Sequence, residues 1–117
     1  MESKFTFTNR TIDNVVILDC DGYFNQLAGE KVAEFCYRQM ETGHKHFLLN
    51  LEKSTVVNSI GVSTLIEIIE KCRQINGKIG YFNLTPIVAK TFKIMGLLDY
   101  SKIYTSEADA LLFLNTK

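Results

Sequence analysis

Apolar and polar positions along this chain follow two periods. "FTFT" (residues 5–8) alternates with period two, as a strand with one wet side does. "VVILDC" (residues 15–20) and "HFLLNL" (residues 46–51) are near-continuous apolar runs, the mark of strands covered on both faces. "KIGYF" (residues 78–82) reads as a further buried strand. Short extra strands are expected at Tyr23-Phe24 and near Ile103-Tyr104.

Between these runs the spacing turns helical. From Gln26 to about Glu41 apolar residues recur at Ala28, Val32, Phe35, Cys36 and Met40, and Gly43 suits the position just past the helix end. A second helix is predicted from Ser59 to about Ile75, closed by Asn76-Gly77. At 100° per residue its buried side holds Val62, Leu65, Ile66, Ile69 and Cys72, with Ile68 and Ile75 at the margin. Ser63, Glu67, Glu70, Lys71 and Gln74 face away, and Ile60 projects on that polar side. Thr85-Pro86 supplies an N-cap followed by proline at the first helical position, for a helix carrying Val88, Phe92 and Met95 and stopping at Gly96. Ser106 opens a last helix with a core face of Ala110, Leu111 and Leu114. The order predicts an α/β fold. A mixed sheet of four to five strands carries about four helices, which crowd one face more than the other.

The chain has 117 residues and no Gly/Ser-rich linker or repeat, so it is expected to form one domain over residues 1–117. Thirteen Lys and Arg balance thirteen Asp and Glu. A neutral chain without basic runs gives no electrostatic case for nucleic acid or an anionic membrane surface. No stretch approaches the roughly 20 apolar residues that span a bilayer, and the N-terminus lacks a signal-peptide pattern. Cys20, Cys36 and Cys72 form no CxxC pair and read as buried, reduced thiols of a cytoplasmic protein.

Two stretches imitate chemistry. "ILDCDG" (residues 17–22) resembles the first motif of haloacid-dehalogenase-type phosphatases, with Asp19 as nucleophile and Asp21 as acid. The downstream lysine and later acidic pair of that family are missing: Asp99 and Asp109 stand alone, and Tyr23 follows Gly22. Polar residues at a strand end before a turn account for the pattern. "GHKH" offers His44 and His46 without further ligands, so no metal site is expected there. No cofactor-binding motif is present, and the chain is expected not to be an enzyme.

"VVNSIGVSTLIEIIEK" (residues 56–71) carries more. Ser59 stands where the helix opens and is expected to cap it. A phosphate there would add about −1.5 to −2 charges at pH 7. The free N–H groups and dipole of a helix start favour an anion, so the fold should survive that addition.

The longer segment "LLNLEKSTVVNSIGVSTLIEII" resembles the central segment of STAS-domain anti-anti-sigma factors, the anti-sigma factor antagonists. In that family a buried strand leads through a loop into a D-S-[ST]-G helix start. The phosphorylated serine of the motif falls on Ser59, and its glycine on Gly61. "LTPIVAKTFKIMGL" (residues 84–97) is similar to the family's third-helix segment, and "DCDGYFN" falls on its G-E-[LI]-D strand and turn. The likeness runs from about residue 14 to residue 114. Asn58 replaces the motif's aspartate, Ile60 its second Ser/Thr, and Tyr23 and Asn25 its strand-turn acids.

The resemblance implies a single STAS-like domain acting as a cytoplasmic partner-switching regulator. It would bind an anti-sigma factor that is also a serine kinase, be phosphorylated on Ser59, and be restored by a PP2C-like phosphatase. The partner-binding residues it implies are Asn58, Ser59, Ile60, Gly61 and Ser63, with Tyr23 and Asn25 from the strand-turn segment. The same likeness admits an alternative: a STAS interaction module that is never phosphorylated, in a signalling assembly or as an accessory subunit of a lipid transporter.

Overall fold

The computed structural model describes residues 4–115. The chain runs β1 (Thr6–Ile12), β2 (Val15–Asp21), α1 (Gln26–Glu41), β3 (His46–Lys53), α2 (Ser59–Gln74), β4 (Lys78–Phe82), α3 (Pro86–Ile94), a 3-10 turn (Leu97–Asp99), β5 (Lys102–Ile103) and α4 (Glu107–Leu114). The five strands form one mixed sheet in sequence order, β1-β2-β3-β4-β5. β1 and β2 are an antiparallel hairpin, and every later pairing is parallel. Parallel pairings require crossover connections, which α1, α2 and α3 supply.

The continuous apolar runs are explained by cover on both faces. Val16, Leu18, Phe47, Leu49 and Tyr81 point into the larger core beneath α1, α2 and α3. Val15, Ile17, Leu48 and Phe82 point the other way and meet Ala110 and Leu114 of α4. Two layers of helix thus bury alternate side chains of the same strands, one layer thick and one thin.

Three sequence expectations are corrected. β1 extends to Ile12, well beyond the alternating "FTFT", because its second half is an edge strand with exposed Asn9, Arg10 and Thr11. On α2, Ile68 is fully buried while Ile66 is 37% exposed, the reverse of the wheel reading. The helix is packed against α1 as well as the sheet, which turns its buried arc toward Gly61, Leu65, Ile68 and Cys72. Tyr23-Phe24 forms no strand; Phe24 makes a single parallel bridge to Val57. That bridge, beyond the ends of β2 and β3, sets the geometry of the site.

Candidate functional site

At the C-terminal ends of β2 and β3 the chain leaves the sheet twice, and each exit starts a helix with an asparagine. Asn25 caps α1, its side-chain oxygen accepting from the Ala28 N–H at 3.0 Å. Asn58 caps α2, accepting from the Gly61 N–H at 2.8 Å. The two exits are tied together through Phe24: its N–H donates to the Val56 carbonyl at 2.9 Å, and its carbonyl accepts from the Asn58 N–H at 3.1 Å. Phe24 itself is buried and meets Phe5 edge-on at 5.4 Å between ring centres. Two helix N-termini therefore open side by side at one end of the molecule.

Gly61 makes this approach possible. A Cβ at that position would lie 2.5 Å from the Phe24 carbonyl oxygen and 2.6 Å from that of Asn25. Its conformation is ordinary helix, so the requirement is for space and not for an unusual φ. Gly29, a turn into α1, meets the same need: a Cβ there would lie 2.7 Å from the Thr64 side chain.

Ser59 is the first residue of α2, exposed, and its hydroxyl makes no hydrogen bond among the described residues. The expected N-cap role thus belongs to Asn58 and not to Ser59. The reason is geometric. Asn58 holds the extended backbone of a cap, at φ −120° and ψ 166°, and its longer amide reaches the third N–H of the helix. Ser59 is left with a free hydroxyl beside a helix start. Three large apolar side chains at this end of the molecule are in water: Ile60 is 55% exposed, Val56 59% and Leu27 57%. Ile60 and Leu27 line one shallow depression together with Asn25 and Asn58.

Most of the chain, residues 6–110, matches the family model of the STAS domain. This chain belongs to the STAS domain family. Among curated relatives, it is similar to BtrV of Bordetella bronchiseptica, a candidate anti-sigma factor antagonist, at 26% identity over 103 residues, covering 87% of this chain and 89% of that one. Among solved structures, a candidate anti-sigma factor antagonist from Thermotoga maritima superimposes with a TM-score of 0.82 at 17% identity, over 94% of this chain and 95% of that one. The anti-sigma factor antagonist SpoIIAA in its unphosphorylated form gives 0.75 at 17% identity, over 96% and 100%. The phosphorylated form of the Bacillus SpoIIAA gives 0.69 at 19%, over 88% and 95%. At these identities the superpositions establish the fold.

Within this STAS fold the sequence-predicted site residues fall into two groups. Asn25, Asn58, Ser59, Ile60 and Gly61 come together at the paired helix starts, with Tyr23 half-buried on the entering turn. Ser63 lies one turn further along α2, exposed, with its hydroxyl donating to the Ile60 carbonyl at 2.9 Å. Gly61 is buried and acts by letting the backbones meet. Leu27 and Val56 are further exposed apolar residues at this end that sequence reasoning does not single out. The signal available was an apolar residue close to each asparagine cap on a face with no core to fill.

Asp19, His44 and His46 have hydrogen-bond partners within the fold, and Asp21 is exposed. Asp19 receives two hydrogen bonds from Arg10 of β1, at 2.8 and 3.1 Å, and one from Asn50 of β3 at 2.9 Å. Arg10 also pairs with Glu107 at the start of α4. The Arg10 guanidinium, above all through hydrogen bonding, holds the Asp19 carboxyl below its ordinary range. His46 accepts from the Lys78 N–H at 3.1 Å, and His44 lies 3.2 Å from the Thr42 hydroxyl. Among the described residues no group of three or more His, Cys, Asp or Glu could hold a metal ion. Cys20, Cys36 and Cys72 are buried and unpaired, and burial pushes the Cys20 and Cys72 thiols up to about 12. No helix among the described residues is long and apolar enough to cross a membrane.

Proposed function

We propose that this STAS domain is a cytoplasmic partner-switching regulator whose free form binds an anti-sigma factor of the serine-kinase type, and that phosphate on Ser59 releases it. A PP2C-like phosphatase would reset the switch. The observation that carries this reading is the division of labour at the start of α2. Asn58 does the capping, and the Ser59 hydroxyl is left exposed and, among the described residues, unbonded, next in sequence to the solvent-facing Ile60. Support also comes from a relative of the same fold, SpoIIAA, which exists in both unphosphorylated and phosphorylated forms.

The physics of release is direct. In the free domain the helix N-terminus favours the added anion, so folding is retained. In a docked interface the same dianion is stripped of water beside apolar side chains. An uncompensated buried charge costs about 3–5 kcal/mol, upward of a hundredfold in affinity. Unphosphorylated docking as a permanent module is the second reading. The exposed Ile60, where the family motif has a second Ser/Thr, is the feature that favours it.

The test is phosphate mapping by mass spectrometry after incubation with ATP and the native anti-sigma kinase. The switch predicts one phosphate on Ser59, absent from Ser59→Ala. Stable complex formation without any phosphate on Ser59 would support the permanent module instead.

A further inference from the structure

The formal charge of the chain is zero, yet one surface is not neutral. α1 and α2 leave a groove of about 520 Å³ between them. Glu30 and Glu34 of α1 line one wall, and Glu67 of α2 lines the other. Ala33, Tyr37 and Ile60 supply its apolar surface. No Lys, Arg or His lines it among the described residues. Arg38 meets Glu34 at 2.6 Å, but neither Glu30 nor Glu67 is in an ion pair among the described residues. Among the described residues Glu30 receives only the Gln26 amide, at 3.1 Å.

The lining positions are at helical spacing on both walls: Glu30, Ala33, Glu34 and Tyr37 face Ile60, Ser63, Thr64 and Glu67. Each wall spans roughly 10 Å, or two turns at 1.5 Å per residue. Both walls are helices whose backbone groups are already bonded internally. An extended peptide laid there would find no partners for its own N–H and C=O groups, whereas a helix brings its bonds with it. The negative rim disfavours an anionic lipid surface. At its open end the groove shares Glu30 and Ile60 with the depression beside Leu27 and Asn58.

We infer that the α1–α2 groove docks a short amphipathic helix of the partner protein, two to three turns long, with an apolar stripe flanked by Lys or Arg. This deepens the docking role proposed for the Ser59 end and rests on it. It also constrains how release works. A phosphate next to Ile60 attracts a basic helix, so release comes from desolvation at the Leu27 and Ile60 end and not from charge in the groove. Raising salt therefore weakens the groove contact while leaving the phosphate effect in place.

The probe is a synthetic amphipathic helix of leucine and lysine, with its leucine–glutamate counterpart as control, titrated into the isotope-labelled chain and followed by NMR. The groove predicts amide shifts centred on Ala33, Tyr37, Ser63 and Glu67, weakening with salt, for the lysine peptide only. Glu30→Lys combined with Glu67→Lys should reduce its affinity at least tenfold, and Glu30→Gln with Glu67→Gln by less, in chains with unchanged melts. Ser59→Asp should leave probe affinity unchanged or raise it. Absence of binding, shifts elsewhere, equal binding of the glutamate peptide, or indifference to charge reversal overturns the proposal. The two readings fail separately. If the native partner ignores Ser59→Asp while the probe occupies the groove, the phospho-switch fails and the groove stands. If the partner responds to Ser59→Asp but neither partner nor probe responds to charge reversal, the groove fails and the switch stands.

Discussion

Two stretches of this chain look like chemistry, "DCDG" at the end of β2 and "NSIG" at the start of α2, and the fold treats them in opposite ways. Asp19 is engaged by three hydrogen bonds. Arg10 and Asn50 take its oxygens, and Arg10 carries the connection on to Glu107, so the acid joins β1, β2, β3 and α4. Ser59 is not used at all. Asn58 caps the helix in its place, and Ser59 stays exposed with the exposed Ile60 next to it in the chain. Reactive residue types alone do not distinguish the two stretches. What distinguishes them is whether the fold has already committed their hydrogen-bonding capacity.

The comparison is broken most severely through Gly61. Gly61→Ala places a methyl within 2.5 Å of the Phe24 carbonyl oxygen, backbone that cannot swing aside. A cost of about 1–3 kcal/mol is expected by denaturant unfolding. A neutral result would mean that the paired helix starts are not held by close backbone contact.

Next in size is the cap. Asn58→Ala should cost about 1 kcal/mol, because the Gly61 N–H loses its acceptor. Ser59→Ala, in contrast, should stay within about 0.5 kcal/mol of the parent. If the two values are reversed, Ser59 is the cap and its hydroxyl is not free.

The acid end gives a smaller, pH-dependent effect. Asp19→Asn keeps the shape but loses the charge that Arg10 binds, at a cost of about 0.5–1 kcal/mol near neutrality. The sign follows from the lowered carboxyl. Because the folded state binds the Asp19 proton more weakly than the unfolded state, its contribution is complete above the ordinary value of 3.8 and is lost as pH falls through and below that value. Parent and variant melts should converge in acid. A gap that persists there would show that Asp19 acts through packing and not through its charge.

The sequence made the fold legible where burial is continuous or periodic. "VVILDC", "HFLLNL" and "KIGYF" are strands because both faces are covered, and Thr85-Pro86 and Ser106 start helices as expected, accepting from the Val88 and Asp109 N–H groups. The second half of β1 was not legible, since an edge strand whose Arg10 serves an ion pair shows no alternation. Ile66 and Ile68 were exchanged because a helical wheel assumes one neighbour, and α2 has two. At the site, the sequence points to the residues that gather at the helix starts but not to what each does there. Whether Asn58 or Ser59 caps depends on which residue occupies the extended backbone position, a matter of one residue in register. The groove was hidden by a neutral total charge, because only packing α1 against α2 collects Glu30, Glu34 and Glu67 on one surface.

The central claim is that capping and switching at this helix start belong to different residues. It is tested most directly by titrating the proposed anti-sigma partner with Ser59→Asp and Ser59→Ala, each first shown by melting to be as stable as the parent. The account predicts that Ser59→Ala binds like the parent and that Ser59→Asp binds at least tenfold more weakly while fully folded. Equal affinities of the two folded variants, or a loss that merely follows unfolding, would contradict it.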